Sequence, residues 1–297
     1  MRVSTLSVIA VGLGLLSLAG GGAALAQGAV VGPEPWQFGF QPAASPIKHQ
    51  VNDLHDLLLW IITGITLFVL ALMAYACWRF RETRNPTPSK RTHHTLLEVT
   101  WTAVPVLILV VIAIPSFKLL YYQEVTPPSV DLTVKVIGRQ WYWTYEYPDH
   151  GNFTFDAYMI PSEEIQDGQH RLLDTDNRVV LPVDANIRLL ITGSDVIHSW
   201  YVPAFGMKKD AIPGRLNEMW IRIDHPGIYY GQCYELCGAY HPFMPITVEA
   251  VTREQFEAWV GEAQQRFARV DGDGGFEVAR GPEQPQQLQP SAQPQPR

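Results

Sequence analysis

Residues 231–246 read GQCYELCGAYHPFMPI, and the rest of the chain is organised around this stretch. It contains four potential metal ligands within twelve residues: Cys233, Cys237, His241 and Met244. Two thiolates, an imidazole and a thioether form a soft ligand set, which selects copper over magnesium, calcium or manganese. A second imidazole would complete the set, and His198 in the segment DVIHSW is the best candidate. The stretch therefore predicts a copper site.

The same residues leave two other interpretations open. A mononuclear electron-transfer copper site uses one cysteine, two histidines and a weak methionine, so this chain offers one thiolate more than such a site needs. Two bridging cysteines could hold two coppers between them. In an oxidising compartment Cys233 and Cys237 could instead form a disulfide, but a disulfide leaves His241 and Met244 unexplained at ligand spacing. Met207 is another sulfur that could compete for copper, and Met244 is preferred because it lies at the motif position.

The spacing C-x-E-x-C-x-x-x-H-x-x-M resembles the binuclear copper A loop of cytochrome c oxidase subunit II. The resemblance implies two copper ions held by five side chains and one backbone carbonyl. The side chains are those of His198, Cys233, Cys237, His241 and Met244, and the carbonyl is that of Glu235. It implies that this centre accepts electrons from cytochrome c and passes them to haem in subunit I, where oxygen is reduced and protons are pumped. It also implies that the Glu235 carboxylate binds a magnesium ion shared with subunit I. The chain itself would then hold neither haem nor the oxygen-reducing site.

Composition argues against several other classes of function. The 297 residues carry a formal net charge of −7, so nucleic acid is not an expected partner. The three cysteines are too few for a disulfide scaffold. Cys77 lies apart from the other two inside an apolar run, and we interpret it as a small apolar side chain. The sequence has no C-x-x-C-H motif, so a fused c-type cytochrome is not expected.

The N-terminal residues predict export from the cytoplasm. Residues 1–26 have the three parts of a secretory signal peptide: a basic start, a short apolar run and a small-residue end at Ala26. Cleavage after Ala26 would place the mature N-terminus outside the cytoplasm. Residues 27–56 are predicted to form an extracytoplasmic N-terminal arm, which is rich in Gly, Pro and Gln up to Gln50.

Two uncharged runs follow, each close to the roughly 20 apolar residues that a helix needs to cross the hydrocarbon core. They predict transmembrane helices over residues 57–78 and 99–122. The first part of the intervening loop, 79–98, carries five Lys or Arg and one Glu, a net of 5 − 1 = +4. Basic loops favour the cytoplasmic side, so both flanks lie outside, in agreement with the signal peptide. We expect a multi-pass protein in the lipid of the bacterial inner membrane, with the copper domain in the periplasm.

The second span begins with LLEVTWTAVP and contains Pro105 and Pro115. Prolines are tolerated in membrane helices when neighbouring groups satisfy the freed carbonyls. From the residues alone, Glu98 is an ordinary interfacial carboxylate. In the context E-x-x-W-T-x-x-P, the family resemblance implies instead that Glu98 lies at the mouth of a proton-uptake channel.

From about Val125 the periodicity changes to short alternating runs rich in Val, Ile, Tyr and Trp. Six runs are predicted as strands: VDLTVKVIG, QWYWTYEY, FTFDAYMI, NIRLLITG, NEMWIRI and GIYYGQC. Several such strands without helical patterns between them indicate a β-sandwich or barrel. The resemblance makes residues 125–258 an all-β, cupredoxin-like Greek-key sandwich with the copper loop between two late strands. His198 would reach the site from another strand.

The C-terminal residues 259–297 are assigned to a helix and a tail. The run TREQFEAWVGEAQQRF places its apolar residues on one side of a probable helix. The tail that follows is rich in Gln and Pro and has no core-forming residues, so it is predicted to be disordered or processed.

The segment QWYW, residues 140–143, has three large aromatics in four positions. In a strand, Trp141 and Trp143 would point to one face and Tyr142 to the other. Aromatic residues of this kind are most often core, but an exposed Trp can also anchor a docking partner. The resemblance implies that Trp141 is the electron-entry residue beneath bound cytochrome c and that Tyr142 joins the contact surface.

Charged residues are also expected at partner surfaces. Residues 125–297 hold 14 Lys and Arg and 23 Asp and Glu, a net of 14 − 23 = −9, which suits a lysine-rich face of cytochrome c. Four acids match the family's docking surface: Glu146, Asp156, Asp176 and Asp195. In GMKKDAIPGR, Asp210 and Arg215 match a segment that faces subunit I, although a buried Asp–Arg pair could equally be structural. Subunits I and III are the expected partners within the oxidase.

Three rival functions are disfavoured by the sequence. A quinol oxidase subunit of the same fold lacks the copper ligands that are present here. A nitrous oxide reductase uses this copper loop in a soluble protein fused to a larger catalytic domain, whereas this chain has two predicted spans. A membrane-anchored copper carrier would have no use for the Trp141 motif or for Glu235.

Overall fold

The computed structural model describes residues 28–267. The predicted signal peptide, residues 1–26, and the predicted tail after residue 267 lie outside the described residues. Within that range there are three α-helices: α1 Pro46–Arg79, α2 Thr95–Glu124 and α3 Arg253–Arg266. The same range contains eleven strands: β1 Ala29–Val31, β2 Leu132–Arg139, β3 Tyr142–Tyr147, β4 Phe153–Ala157, β5 Val179–Pro182, β6 Ile187–Gly193, β7 His198–Tyr201, β8 Lys208–Ala211, β9 Asn217–Ile221, β10 Gly227–Cys233 and β11 Pro245–Val251.

Helices α1 and α2 are both long and apolar enough to cross a membrane. Helix α1 begins at Pro46 because Ser45 caps it: the Ser45 Oγ accepts a hydrogen bond of 3.0 Å from the Lys48 amide. This start lies 57 − 46 = 11 residues before Leu57, so the last part of the segment predicted as an arm is helical. The uncharged run marks the membrane part of the helix and not its beginning.

Helix α2 begins with a reciprocal cap. The His94 Nδ1 accepts a hydrogen bond of 3.3 Å from the Leu97 amide, and the Glu98 Oε1 accepts one of 3.0 Å from the His94 amide. These bonds satisfy amide groups that the first turn of a helix leaves without partners. Pro105 and Pro115 both lie inside the helix, as the sequence predicted.

The residues after the hairpin form a β-sandwich. One sheet has the strand order β5-β11-β10-β7-β8, with β1 also paired to β10, and the other has the order β4-β3-β2-β6-β9. Strands β2 and β3 form an antiparallel hairpin whose two-residue turn is residues 140–141. Strand β10 pairs antiparallel with both β11 and β7. The predicted fold class, a two-helix transmembrane hairpin followed by an all-β cupredoxin-like Greek-key sandwich, is confirmed.

Large aromatic side chains fill the space between the sheets. Trp143, Tyr145 and Trp200 are almost completely buried. The Trp200 Nε1 donates a hydrogen bond of 3.3 Å to the Tyr145 hydroxyl, and the Tyr147 hydroxyl donates one of 2.8 Å to the Val180 carbonyl. Because a buried polar tip without a partner is costly, these bonds allow the rings to pack in the core and tie the two sheets together.

All six predicted strands are present, and five strands were not predicted: β1, β5, β7, β8 and β11. Four of these five have only three or four residues, which is too short for an alternating pattern to be recognised. Helix α3 was predicted and is present. It begins at Arg253, inside the range assigned to the sandwich, because Thr252 and Gln255 form a capping box.

Candidate metal centre

The five predicted ligand side chains come together in one pocket. His198 is the first residue of β7 and Cys233 is the last residue of β10, and these two strands are paired. The other three lie in the connection between β10 and β11 or at its end. The Cys233 amide donates a hydrogen bond of 3.2 Å to the Met244 carbonyl, which closes this connection into a loop. Strand pairing thus fixes both ends of the ligand loop.

Each thiol faces an imidazole and one weaker donor, so the pocket has two similar halves that share the pair of sulfurs. The Cys233 Sγ lies 3.9 Å from the His198 Nδ1 and 3.4 Å from the Glu235 carbonyl oxygen. The Cys237 Sγ lies 3.5 Å from the His241 Nδ1 and 3.5 Å from the Met244 Sδ. The two Sγ atoms are 3.9 Å apart.

The two cysteines are reduced. Their sulfurs are 3.9 Å apart, whereas a disulfide bond is about 2.05 Å long. Both side chains are buried, with 4% and 3% of Cys233 and Cys237 exposed. The disulfide that the spacing also allowed is not formed in this structure.

The protonation of Cys237 indicates what the pocket accepts. Burial, together with the neighbouring Cys233, raises the pKa of Cys237 to about 12. The thiol therefore keeps its proton at neutral pH until a cation takes the proton's place. Ligand atoms of His198, Cys233 and Cys237 lie within 4.8 Å of one another. A buried set of sulfur and imidazole donors fits a soft metal ion such as copper.

His198 is oriented from outside the pocket by Asp195. The Asp195 Oδ1 lies 2.8 Å from the His198 Nε2, which leaves the His198 Nδ1 to face Cys233. The same carboxylate accepts hydrogen bonds from the amides of Gln140 and Val196 at 2.7 and 2.6 Å. Partial burial raises the pKa of Asp195, but its bonds to His198 and these amides outweigh burial, so the net shift is downward. Asp195 is thus a charged acceptor for the imidazole.

Two side chains from the β2–β3 turn reach the ligand loop. The Gln140 Nε2 and the Trp141 Nε1 both donate to the Cys237 carbonyl, at 2.8 and 3.2 Å. Gly238 has a φ of +123°, and a Cβ at this position would lie only 3.0 Å from the Trp141 ring. Trp141 lies in the turn and not in the strand that the sequence predicted. The buried Trp143 also touches the loop, since its Nε1 donates to the Met244 carbonyl at 3.4 Å.

Similarity to known proteins decides the family. The family profile described as "Cytochrome C oxidase subunit II, periplasmic domain" matches residues 132–251, and the profile of the transmembrane domain matches residues 33–119. A "Probable cytochrome c oxidase subunit 2" of Rickettsia bellii (strain RML369-C) is 53% identical over 228 residues, which are 77% of this chain and 84% of the relative. The chain belongs to the cytochrome c oxidase subunit II family.

Other members of the subunit II family show the same relationship. "Cytochrome c oxidase subunit 2" of Arabidopsis thaliana is 48% identical over 232 residues, which are 76% of this chain and 89% of the relative. The crystal structure of the periplasmic domain of subunit II of cytochrome oxidase (CoxB) of Bradyrhizobium japonicum is 51% identical. The matched region is 48% of this chain and 100% of the chain in that crystal structure, with a TM-score of 0.45.

The residues predicted to dock cytochrome c occupy different environments in the structure. The Tyr142 ring stacks on the Tyr158 ring at 4.4 Å, and the Asp176 Oδ1 accepts a hydrogen bond of 2.7 Å from the Tyr158 amide. Asp176 is exposed. The Glu146 carboxylate is mostly covered, with 16% of the side chain exposed, and pairs with the Lys135 Nζ at 3.2 Å.

Asp156 departs most from its predicted place on the docking surface. It is buried, with 9% exposed, and its Oδ1 accepts a hydrogen bond of 2.6 Å from the Thr144 hydroxyl. Burial raises the pKa of Asp156, although bonds from Thr144 and Tyr158 partly oppose this. Strand β4 turns this carboxylate toward Thr144 of β3, so Asp156 is largely covered and is not an exposed acid of the predicted docking surface.

Two other predicted site residues, Asp210 and Glu98, have local partners that the sequence did not indicate. Asp210 is half-buried and accepts a hydrogen bond of 2.8 Å from the Ser199 hydroxyl, and it lies 3.5 Å from the Lys208 Nζ. Arg215 is exposed, so the pair that the sequence suggested is not the contact that Asp210 makes. Glu98 belongs to the cap of α2. Its position at the start of a predicted membrane span agrees with the sequence.

Two contributors to the site were missed by sequence reasoning. Gln140 was named only as part of QWYW, and Asp195 was assigned to docking. The spacing D-x-x-H in DVIHSW was the available signal for Asp195, because an acid three residues before a ligand His is within reach of its imidazole. No comparable signal exists for Gln140, whose partner is 97 residues away.

Proposed function

We propose that this subunit accepts single electrons from reduced cytochrome c at a centre of two copper ions and passes them to haem in subunit I. The observation that carries the proposal is the pair of reduced thiols, 3.9 Å apart, each faced by its own imidazole. A site for one copper needs only one cysteine, whereas two bridging thiolates with one histidine each suit two metal ions. When bound, the copper pair supplies a one-electron carrier for the oxidase.

The protein holds the donors in a fixed arrangement. His198 and Cys233 lie on paired strands, and the Met244 carbonyl is bonded to both the Cys233 amide and the Trp143 indole. The Cys237 carbonyl is occupied by Gln140 and Trp141, which leaves the Glu235 carbonyl as the backbone donor nearest to Cys233. A ligand set fixed in this way needs little rearrangement during electron transfer.

Trp141 is assigned as the point of electron entry. Its ring is half-buried and lies 4.9 Å from the Tyr240 ring. Its indole N–H donates directly to the carbonyl of a predicted copper ligand, Cys237. A protein that covers Trp141 is thus separated from the ligand loop by one indole and one hydrogen bond.

The surface next to Trp141 suits a basic partner. Asp195 is bonded to Gln140, the neighbour of Trp141, and the exposed Asp176 is linked to Tyr142 through Tyr158. With the net charge of −9 over residues 125–297 (14 − 23), these acids favour a lysine-rich cytochrome c. Opposite potentials raise association rates by about 10–1,000-fold at low salt.

The ligand loop itself is assigned to the contact with subunit I. Tyr234 and Leu236, which lie between the two cysteines in sequence, are 60% and 78% exposed. Exposed apolar residues beside a functional site are typical of a surface that another protein covers. We assign the Glu235 carboxylate to a magnesium ion at this contact, because magnesium prefers oxygen ligands. Asp210 and Arg215 are assigned to the same face, and subunit III completes the complex.

Glu98 is assigned to proton uptake on the cytoplasmic side. Its carboxylate accepts a hydrogen bond from the His94 amide, and it lies at the start of the second membrane span, after the basic loop that predicts a cytoplasmic location. A carboxylate in this position can take up a proton from the cytoplasm. On the same topology, we assign the copper domain to the periplasmic side of a bacterial inner membrane.

Rapid mixing of the assembled oxidase with reduced cytochrome c tests the proposal. Trp141→Phe removes the indole donor to Cys237 and should slow reduction of the copper centre strongly. Trp101→Phe, in the exposed surface of α2, is the matched control and should leave the rate unchanged. The wild-type rate should fall as salt rises, since the Debye length is only about 8 Å at physiological ionic strength. Equal rates for Trp141→Phe and the wild type would contradict the assigned entry route.

A further inference from the structure

The arm before α1 exposes a group of aromatic side chains. Trp36 and Phe38 are 93% and 97% exposed, and Phe40 is 49% exposed. We refer to residues 34–40, which read EPWQFGF, as the aromatic hook. Among residues 28–267, which the structure describes, Trp36 and Phe38 are almost uncovered and Phe40 is about half covered, which indicates contact with something outside this part of the chain.

The aromatic hook is a shaped turn. The Gln37 amide donates to the Glu34 carbonyl at 3.2 Å, and the Gln37 Oε1 accepts from the Glu34 amide at 3.3 Å. The Gln37 Nε2 donates to the Phe40 carbonyl at 3.0 Å. One side chain therefore bonds to both ends of the turn and holds the backbone so that the neighbouring Trp36 and Phe38 side chains project outward.

Both ends of the hook are anchored to the sandwich. On one side, β1 pairs in parallel with β10. On the other side, the Ala44 amide donates to the Ala204 carbonyl at 3.0 Å, and the Ser45 hydroxyl donates to the Phe205 carbonyl at 2.7 Å. The hook is thus a short loop whose two ends, at β1 and at Ala44–Ser45, are both hydrogen-bonded to the sandwich.

The hook lies against the part of α1 that enters the membrane. The Phe40 ring is 4.6 Å from the His55 ring, and the Lys48 Nζ lies 3.8 Å from the centre of the Phe40 ring. His55 is two residues before Leu57, where the uncharged run begins. At about 1.5 Å per residue, this is about 3 Å along the helix. The hook is therefore beside the outer membrane boundary.

We propose that the aromatic hook inserts Trp36 and Phe38 into the outer lipid–water interface. Trp and other amphipathic rings are enriched at this depth, and the neighbouring spans of α1 and α2 already require lipid around them. The only charged residue of the hook is Glu34, and the nearby Lys48 is buried. The contact should therefore depend on apolar insertion and not on anionic lipid headgroups. It would hold the sandwich at a fixed height and tilt above the bilayer.

The test uses the complete subunit in phosphatidylcholine vesicles, and in parallel the assembled oxidase, with lipids brominated at two depths. Subtracting the emission of Trp36→Phe from that of the wild type isolates Trp36. We expect lipids brominated near the headgroup to remove most of the Trp36 emission, and lipids brominated near the bilayer centre to remove much less. The same result is expected when phosphatidylglycerol replaces part of the phosphatidylcholine.

The difference signal of Trp141→Phe provides the matched control, because Trp141 lies in the sandwich and should not be quenched by either lipid. Quenching of Trp36 by aqueous iodide, without quenching by brominated lipid, would overturn the proposal. So would a Trp36 signal that neither lipid nor iodide reaches in the assembled oxidase, since another subunit would then cover the hook.

Discussion

The sandwich buries its apolar side chains within its own core, whereas the helical hairpin leaves most of its apolar side chains exposed. Among the predicted ligands, His198 and Met244 are 0% and 1% exposed, and aromatic core residues lie around them. In α1 only Ile47 and Lys48 are buried, and in α2 only Leu119 is buried. The sandwich therefore positions the metal ligands with its own core, whereas the hairpin depends on lipid and on other subunits to cover its apolar surface.

Substitution of the cysteines, two in the pocket of the sandwich and one on the surface of α1, should give the largest difference between the two regions. Cys233→Ser and Cys237→Ser should each abolish the two-copper centre, because each removes a thiolate that both metal ions would share. Cys77→Ser, which changes the exposed cysteine of α1, should leave copper binding unchanged. Copper per chain in the purified subunit measures all three variants. Full copper retention in either pocket variant would contradict the bridging role.

Tryptophan substitutions compare the two regions by stability. Trp143→Ala removes a ring that is 0% exposed and should lower the free energy of unfolding of the sandwich by about 3–5 kcal/mol. Trp101→Ala removes a ring that is 58% exposed in the absence of lipid, and should change the same quantity by less than about 0.5 kcal/mol. Denaturant unfolding of the β-structure in detergent, without copper, gives both values. Equal losses would show that the sandwich is not an independent core.

Asp195→Asn tests whether the sandwich also orients its ligands from outside the pocket. The substitution removes the charge that faces the His198 Nε2 at 2.8 Å and should lower copper affinity by about 10–100-fold. Asp176→Asn changes another exposed acid of the proposed docking surface and should leave copper affinity unchanged. Competition with a copper chelator measures both. An unchanged copper affinity in Asp195→Asn would contradict the orienting role of Asp195 and leave only its predicted role in docking.

Asp156→Asn should have the smallest effect and concerns an acid inside the sandwich. Burial raises the pKa of Asp156, so the folded protein binds this proton more tightly than the unfolded chain does. The resulting contribution to stability is present below the ordinary Asp pKa of about 4 and is lost as the pH rises through the folded-state value. The variant should flatten the pH dependence of the free energy of unfolding by about 1 kcal/mol or less. An unchanged slope would contradict this account of Asp156.

The ligand loop and the two spans could be predicted because their signals are local. The spacing from Cys233 to Met244 and the uncharged runs are complete within short stretches of sequence. The six predicted strands carry their own alternating pattern. By contrast, β1 has three residues and β7 has four, and such short strands are defined by the partners that they find in the folded chain.

The remaining site residues depend on contacts that are distant in sequence. Gln140 reaches a carbonyl 97 residues away, and the burial of Asp156 results from the pairing of β4 with β3. An acid in an alternating strand reads as a surface charge until the neighbouring strand is known. The start of α1 at Pro46 was likewise hidden, because the helix is capped by Ser45 well before its apolar run begins.

Copper content and electron paramagnetic resonance of the complete, copper-loaded subunit in detergent test the central claim most directly. The account predicts two tightly held coppers per chain and one unpaired electron shared equally between both nuclei. One copper per chain, or a Cys233–Cys237 disulfide without tightly held metal, would contradict it.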